Sequence, residues 1–291
     1  NADSIAVGES APDVGSALAI NCDQDGDGYD DLFFGDPLAG GGLGSLGVFS
    51  GGAAGIVPWS SATADIIGEA SGDQFGGAVA CGDVNNDGYA DAVVGAPKAD
   101  PGGLTNGGAV YVFYGPISGS LTASSADVIL ESSVAGDLVG AAVAVADFDG
   151  DDFADIAIGA PLNDAAGASA GGVYLVNGAT VGSGKLSATP DFTGSVGESL
   201  GWTLAIAGDV DASGDLDLLA GSPFDGSAGV AYVLLDAGFA ASGPIAAEST
   251  TLLGAALFDR TGDALAGIGA WNGDVYDDIA IGAPGHDGAA G

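Results

Sequence analysis

Asp83-Val84-Asn85-Asn86-Asp87-Gly88-Tyr89-Ala90-Asp91 runs straight into the apolar stretch Ala92-Val93-Val94-Gly95-Ala96-Pro97. Ala78-Val79-Ala80-Cys81, a run of small residues, lies just before it. The local reading is two short strands joined by an acidic turn, with the proline closing the second strand. The same nonapeptide pattern returns at Asp23–Asp31, Asp147–Asp155 and Asp209–Asp217, and in weaker form at Ala270–Asp278. Its last aspartates fall at Asp31, Asp91, Asp155, Asp217 and Asp278, in steps of 60 to 64 residues. A repeat of that length, carrying one strand-turn-strand each time, marks an array of β-units.

The rest of each period reads as strand too. In the second unit Asp65-Ile66-Ile67 precedes a turn at Gly72-Asp73-Gln74-Phe75-Gly76-Gly77, and Gly108-Ala109-Val110-Tyr111-Val112-Phe113-Tyr114 follows the long polar loop after Pro97. Gly171-Gly172-Val173-Tyr174 and Gly229-Val230-Ala231-Tyr232 repeat that aromatic strand. No stretch shows helical periodicity. Four strands per period, repeated radially, predict an all-β fold: a β-propeller of about five four-stranded blades, forming one domain over 1–291. The chain begins with a strand-like Ser4-Ile5-Ala6-Val7 and stops after Gly282-Ala283-Pro284 without an aromatic strand. The expected ring is therefore incomplete, closed by the chain ends, or completed by a partner strand.

Composition limits the chemistry. Forty acidic residues face three basic ones (Lys98, Lys185, Arg260) and one histidine, His286, for a formal charge of −37. No basic stripe exists to neutralise phosphates, which excludes nucleic acid as a partner. No apolar run approaches membrane-spanning length, so membrane insertion is not expected. Asn1 reads as a mature or excised N-terminus. Cys22 directly precedes the first acidic loop and Cys81 lies two residues before the second. They form a disulfide in an oxidising compartment or remain two small buried thiols, depending on strand register.

The units resemble FG-GAP repeats, the family that builds the propeller of integrin α subunits and of many bacterial extracellular proteins. Phe75-Gly76 and Gly95-Ala96-Pro97 carry the two halves of the motif. Gly-Ala-Pro returns at 159–161 and 282–284, with the variants Gly35-Asp36-Pro37 and Gly221-Ser222-Pro223, while Val139-Gly140 and Leu200-Gly201 stand in for Phe-Gly. The resemblance implies a calcium-binding propeller, secreted or at the cell surface, that acts in adhesion and meets partners on the face away from the acidic loops. The loops after Gly-x-Pro, at 38–46, 98–107 and 162–171, are the expected contacts for an extracellular protein or glycan.

Alternate acidic side chains in a short loop make an oxygen cage for a hard cation, and calcium takes six to eight oxygens. The first loop offers Asp23, Asp25, Asp27 and Asp31 with the carbonyl of Tyr29; the second offers Asp83, Asn85, Asp87 and Asp91 with that of Tyr89. The third offers Asp147, Asp149, Asp151 and Asp155 with the Phe153 carbonyl, and the fourth Asp209, Asp211, Ser213 and Asp217 with the Asp215 carbonyl. The fifth keeps Asn272, Asp274 and Asp278 but has Ala270 in first place, so about four strong Ca²⁺ sites are expected and a fifth that is weak or absent. An EF-hand is excluded, because its twelfth-position glutamate is replaced by Phe34, Val94, Ile158 and Ala220.

The sequence predicts a calcium-stabilised binding scaffold and no catalytic residues. Two rivals are a self-assembling filament or surface-layer subunit, joined through an open sheet edge, and a polysaccharide-active enzyme. Trp202 is expected to pack in the core, Trp271 to fill the space of a lost ion in the fifth loop, Arg260 to pair locally with Asp259 or Asp263, and His286 to be exposed.

Overall fold

A computed structural model describes residues 4–7, 15–52, 55–224, 228–235 and 242–286. Its strands follow the predicted order along the chain, but the strands at Ala64–Ile67 and Val128–Glu131, read from the sequence as opening the second and third units, close the sheets of the first and second. In the first unit Ala17–Cys22, Asp31–Asp36, Ser45–Phe49 and Ala64–Ile67 form an antiparallel sheet in sequence order. The second unit repeats this with Ala78–Gly82, Asp91–Ala96, Ala109–Phe113 and Val128–Glu131, and the third with Val143–Ala146, Asp155–Gly159, Gly172–Val176 and Phe192–Thr193. The fourth comprises Thr203–Gly208, Asp217–Ser222, Val230–Leu234 and Thr250–Leu253. A fifth begins with the pair Ala264–Gly269 and Asp278–Gly282.

The sequence reading missed one element. Ahead of its fourth strand, each full unit sends a short strand to the outer edge of the unit before it, where it pairs in parallel. Gly119–Thr122 pairs with Ala64–Ile67, Gly184–Lys185 with Val128–Glu131, and Gly243–Pro244 with Phe192–Thr193. Gly55–Pro58 likewise pairs with Ser4–Val7, which holds the place of an outer strand ahead of the first full unit. These segments, two to four residues long, are too short to show strand alternation. Two single-turn helices, Ala39–Gly42 and Ile245–Glu248, also lie in the connections.

In the second unit the middle strands Asp91–Ala96 and Ala109–Phe113 are buried on both faces, and Asp217–Ser222 and Val230–Leu234 repeat this in the fourth. This explains their unbroken Val, Ala and aromatic content. The core lies between units: Phe33, Leu46, Ile66 and Phe75 pack with Val94 and Tyr111 of the second unit, and Val93, Val110 and Val139 pack with Ile156 and Ile158 of the third. First strands of successive units lie side by side, and Leu18, Val79, Val143, Leu204 and Ile206 line a shallow cleft along them.

The two halves of the repeated motif meet at these seams. A Cβ on Gly35, Gly95, Gly159 or Gly221 would overlap the carbonyl oxygen of Gly76, Gly140, Gly201 or Gly262 in the following unit. The first glycine of Gly-x-Pro is therefore fixed by the close passage of the next unit's Phe-Gly turn. Phe75, Val139, Leu200 and Thr261 occupy the position before that turn's glycine, and each bridges the residue before its neighbour's third strand. What the position needs is a buried side chain, which is why Val and Leu replace Phe there.

Cys22 and Cys81, on adjacent first strands, are joined as a disulfide with their Cα atoms 6.2 Å apart. The link ties the first two units together at the root of their acidic loops.

Candidate metal centres and relatives

Each acidic loop joins the first and second strands of its unit. Hydrogen bonds from its own backbone build it. Asp147, in first place of the third loop, accepts from the N–H groups of Gly150 (2.7 Å) and Asp151 (3.2 Å) on Oδ1 and of Asp152 (2.9 Å) on Oδ2. Asp23 does the same with Gly26, Asp27 and Gly28. Asp83 holds Asp87 and Gly88, and Asp209 holds Ser213 and Gly214. The fifth-place side chain then accepts from the N–H two residues on: Asp27 from Tyr29, Asp87 from Tyr89, Asp151 from Phe153, and Ser213 from Asp215. Two left-handed residues per loop make these turns possible, such as Gly26 (φ 75°) and Gly28 (φ 85°) in the first and Gly150 (φ 74°) and Asp152 (φ 70°) in the third.

The last aspartate has a different environment. Asp31, Asp91, Asp155 and Asp217 are buried, and the Oδ2 atom of each accepts the N–H of the loop's second residue at 2.8 to 3.0 Å. Oδ1 of the first three accepts from Gly51 (2.6 Å), Gly115 (2.8 Å) and Gly178 (2.9 Å), the second residue after the third strand. These carboxylates pin the loop to its own sheet. Burial pushes Asp91 up to about 7 and Asp155 up to about 6, against the lowering effect of those N–H bonds. Asp31 is raised for the same reason, and Asp149 is raised by burial and then by the nearby charge of Asp151.

Carboxylate oxygens of Asp23, Asp25 and Asp27 lie within 4.8 Å of one another. So do those of Asp147, Asp149 and Asp155, and of Asp209, Asp211 and Asp217. In the second loop Asn85 takes third place, and its Nδ2 donates to Asp87 Oδ2 at 2.9 Å. This donor set is hard oxygen throughout, crowded enough that like-charge repulsion needs a cation or protons to relieve it. It fits a divalent cation of the calcium type.

The fifth loop is built differently. Ala270 offers no side-chain acceptor, and Gly273 donates to the Ala270 carbonyl instead. Asp278 accepts from Asn272 N (3.1 Å) and Asn272 Nδ2 (3.4 Å), and Asp274 from Tyr276 N. Trp271 does not fill an ion's place, since it is 82% exposed. Trp202 also departs from expectation: it sits just ahead of Thr203–Gly208, beside a pocket lined by Pro37, Gln74, Pro97, Lys98 and Leu138, with its ring against Phe224. Arg260 pairs with Asp263 and lies over the Phe224 ring, while Asp259 instead meets His286 Nδ1 at 3.1 Å, and the imidazole is about half exposed.

The sequence reading overlooked the position just after the third strand. Ser50 Oγ donates to Asp25 Oδ2 at 3.0 Å, and Asn177 Nδ2 to Asp149 Oδ2 at 3.0 Å. The only signal was a polar residue between an apolar strand and a glycine, at Ser50-Gly51 and Asn177-Gly178.

The FG-GAP repeat family matches residues 75–113 and 139–176, the second and third units. The chain carries FG-GAP repeats. Phosphatidylinositol-glycan-specific phospholipase D of Bos taurus is 38% identical over 161 residues, which is 52% of this chain and 19% of that protein. Integrin alpha-V of Gallus gallus is 30% identical over 221 residues, 72% of this chain and 20% of the integrin. Among solved structures, the biofilm matrix protein Bap1 of V. cholerae aligns with 90% of this chain and 34% of its own, at a TM-score of 0.38 and 14% identity. The FG-GAP chain thus spans about a fifth of the length of the relatives it matches. Among its described residues, no helix is long and apolar enough to cross a membrane.

Proposed function

We propose that this chain is a secreted or cell-surface β-propeller of about five blades, forming one domain, stabilised by calcium and serving as an adhesion or binding scaffold. One observation carries the reading: four acidic loops, built by the same internal hydrogen bonds, occupy the same end of successive units. The proposed ligands are the side chains of Asp23, Asp25, Asp27, Asp31, Asp83, Asn85, Asp87, Asp91, Asp147, Asp149, Asp151, Asp155, Asp209, Asp211, Ser213 and Asp217, with the carbonyls of Tyr29, Tyr89, Phe153 and Asp215. The Cys22–Cys81 disulfide agrees with an oxidising compartment. The integrin likeness supports adhesion. The named phospholipase activity belongs to a protein of which this stretch matches about a fifth.

Calcium binding to the folded chain alone raises stability with the logarithm of ion concentration, by about 2.7 kcal/mol per site at one hundred times Kd. The test is thermal unfolding in excess chelator and at millimolar calcium, together with panels of immobilised glycans and matrix proteins. Melting that rises with calcium, and retention on a panel only when calcium is present, are the expected results. Equal melting curves would end the calcium reading, and cleavage of a panel glycan would replace the scaffold with an enzyme.

A further inference from the structure

We infer that Asn177, outside the acidic nonapeptide, is a further oxygen ligand of the cation held by the third loop; this rests on the calcium reading above. Three observations bring it there. Asn177 follows Gly172–Val176, the strand beside Asp155–Gly159, so its side chain approaches the third loop from the sheet. Its carboxamide spans two of the proposed ligands, with Nδ2 at 3.0 Å from Asp149 Oδ2 and 3.4 Å from Asp151 Oδ2. The next residue, Gly178, is fixed by its N–H bond to Asp155 Oδ1, so the backbone carrying Asn177 is tied to a third ligand of the same loop.

Without a cation, the NH₂ end of the amide is the end that two carboxylates attract. A cation between those carboxylates reverses the preference. A half-turn of the planar amide exchanges its nitrogen and oxygen at almost no steric cost, because the two are nearly the same size. Oδ1 then faces the charge, and the loop gains a neutral oxygen without adding to the repulsion among Asp147, Asp149, Asp151 and Asp155. Among the described residues, only Thr180 Oγ1, at 3.3 Å, donates to Oδ1 now, a weak bond that water replaces. Units differ at this position, since Ser50, Tyr114 and Leu235 stand in the equivalent places. The third loop thus has four carboxylates and an amide, the first four carboxylates and the Ser50 hydroxyl, while the fourth receives nothing from Leu235.

Calcium titration calorimetry on the full chain tests the inference with Asn177→Ala, Asn177→Asp, Asp149→Ala and the double variant Asn177→Ala/Asp149→Ala. Asn177→Ala is expected to weaken one site roughly tenfold and leave the others unchanged. Asn177→Asp, which keeps an oxygen and loses the NH₂ group, is expected to bind at least as tightly as the unaltered chain while melting lower in chelator. On an Asp149→Ala background, Asn177→Ala should still weaken calcium at the third loop, because the amide reaches the cation directly; an effect that vanished there would make Asn177 a residue that only positions Asp149 and would overturn the inference. Unchanged affinity in Asn177→Ala, or weaker binding in Asn177→Asp, would overturn the inference and leave the calcium reading intact. No binding by the unaltered chain would overturn both.

Discussion

The third and fifth acidic loops occupy the same place in their units and end in the same Asp-Ile-Ala-Ile-Gly-Ala-Pro strand, yet they close by different means. In the third, Asp147 gathers three backbone N–H groups, and Asp155 accepts from Phe148 in second place and from Gly178. In the fifth, Ala270 has no side chain to gather any and accepts only from Gly273 on its carbonyl, and Asp278 catches the third-place Asn272 in place of the second-place Trp271, whose N–H goes to the Gly269 carbonyl. Positions four and six are both left-handed in the third loop, whereas in the fifth only Gly273 is (φ 81°) and the sixth residue is β-branched Val275. The difference teaches that the first aspartate is the organiser of the turn as well as a proposed ligand. Its loss removes one proposed ligand and, with it, the backbone bonds that the first-place carboxylate holds in the third loop.

The largest effect that would sharpen this contrast is on the buried last aspartate. Asp155→Ala leaves the N–H groups of Phe148 and Gly178 without acceptors in a buried place. The cost is expected to be about 3 kcal/mol in chelator, or a fall in melting temperature on the order of 10 °C. Asp278→Ala, at a partly exposed site, is expected to cost less than about 1 kcal/mol. Denaturant unfolding of the two variants checks the pair, and equal losses would break the comparison.

A second effect separates the loops by pH. Burial raises the folded-state values of Asp155 to about 6 and Asp91 to about 7, above the unfolded value of 3.8. Their contribution in the cation-free chain is therefore fully present below about pH 4 and lost as pH rises through 6 to 7. In chelator, stability should fall across that window; with saturating calcium, which favours the ionised carboxylates, the fall should shrink or reverse. Asp155→Asn, which cannot ionise, should flatten part of the chelator profile. A chelator profile that is flat or rises from pH 4 to 7 would show that burial does not hold the protons of these two carboxylates in the folded chain.

How much of this was legible beforehand follows from what repeats. The acidic pattern and Gly-x-Pro recur with nearly fixed spacing, so the strands on either side of each loop, and the carboxylates at first, third and last places, could be read directly. Phe75, Val139, Leu200 and Thr261 differ in type because the seam demands only burial, and the motif looked looser than its geometry is. The parallel straps at Gly55–Pro58, Gly119–Thr122, Gly184–Lys185 and Gly243–Pro244 left no period-two pattern to read, since their pairing is with a neighbour's edge. Asn177 and Ser50 were missed because they come from the far side of the hairpin, 28 and 25 residues from the carboxylates they touch. Trp271 was read as a filler of an ion's place, whereas its ring lies in solvent.

The smallest effect tests the backbone half of the comparison. Asp152 holds the sixth position of the third loop at φ 70°, where the first, second and fourth loops have Gly28, Gly88 and Gly214. A side chain in that region costs on the order of 1 kcal/mol, somewhat less for Asp than for most residues. Asp152 is exposed, and the structure records only its N–H bond to Asp147 Oδ2, which glycine retains. Asp152→Gly also removes one charge from a crowded loop, so it should raise stability in chelator by about 0.5 kcal/mol. Val275→Gly in the fifth loop should not do so, because no first-place carboxylate waits to accept the N–H that a left-handed turn would present. If Val275→Gly stabilised the chain as much as Asp152→Gly, the sixth position would be acting through local backbone preference alone. The organising role given to the first aspartate would then fall.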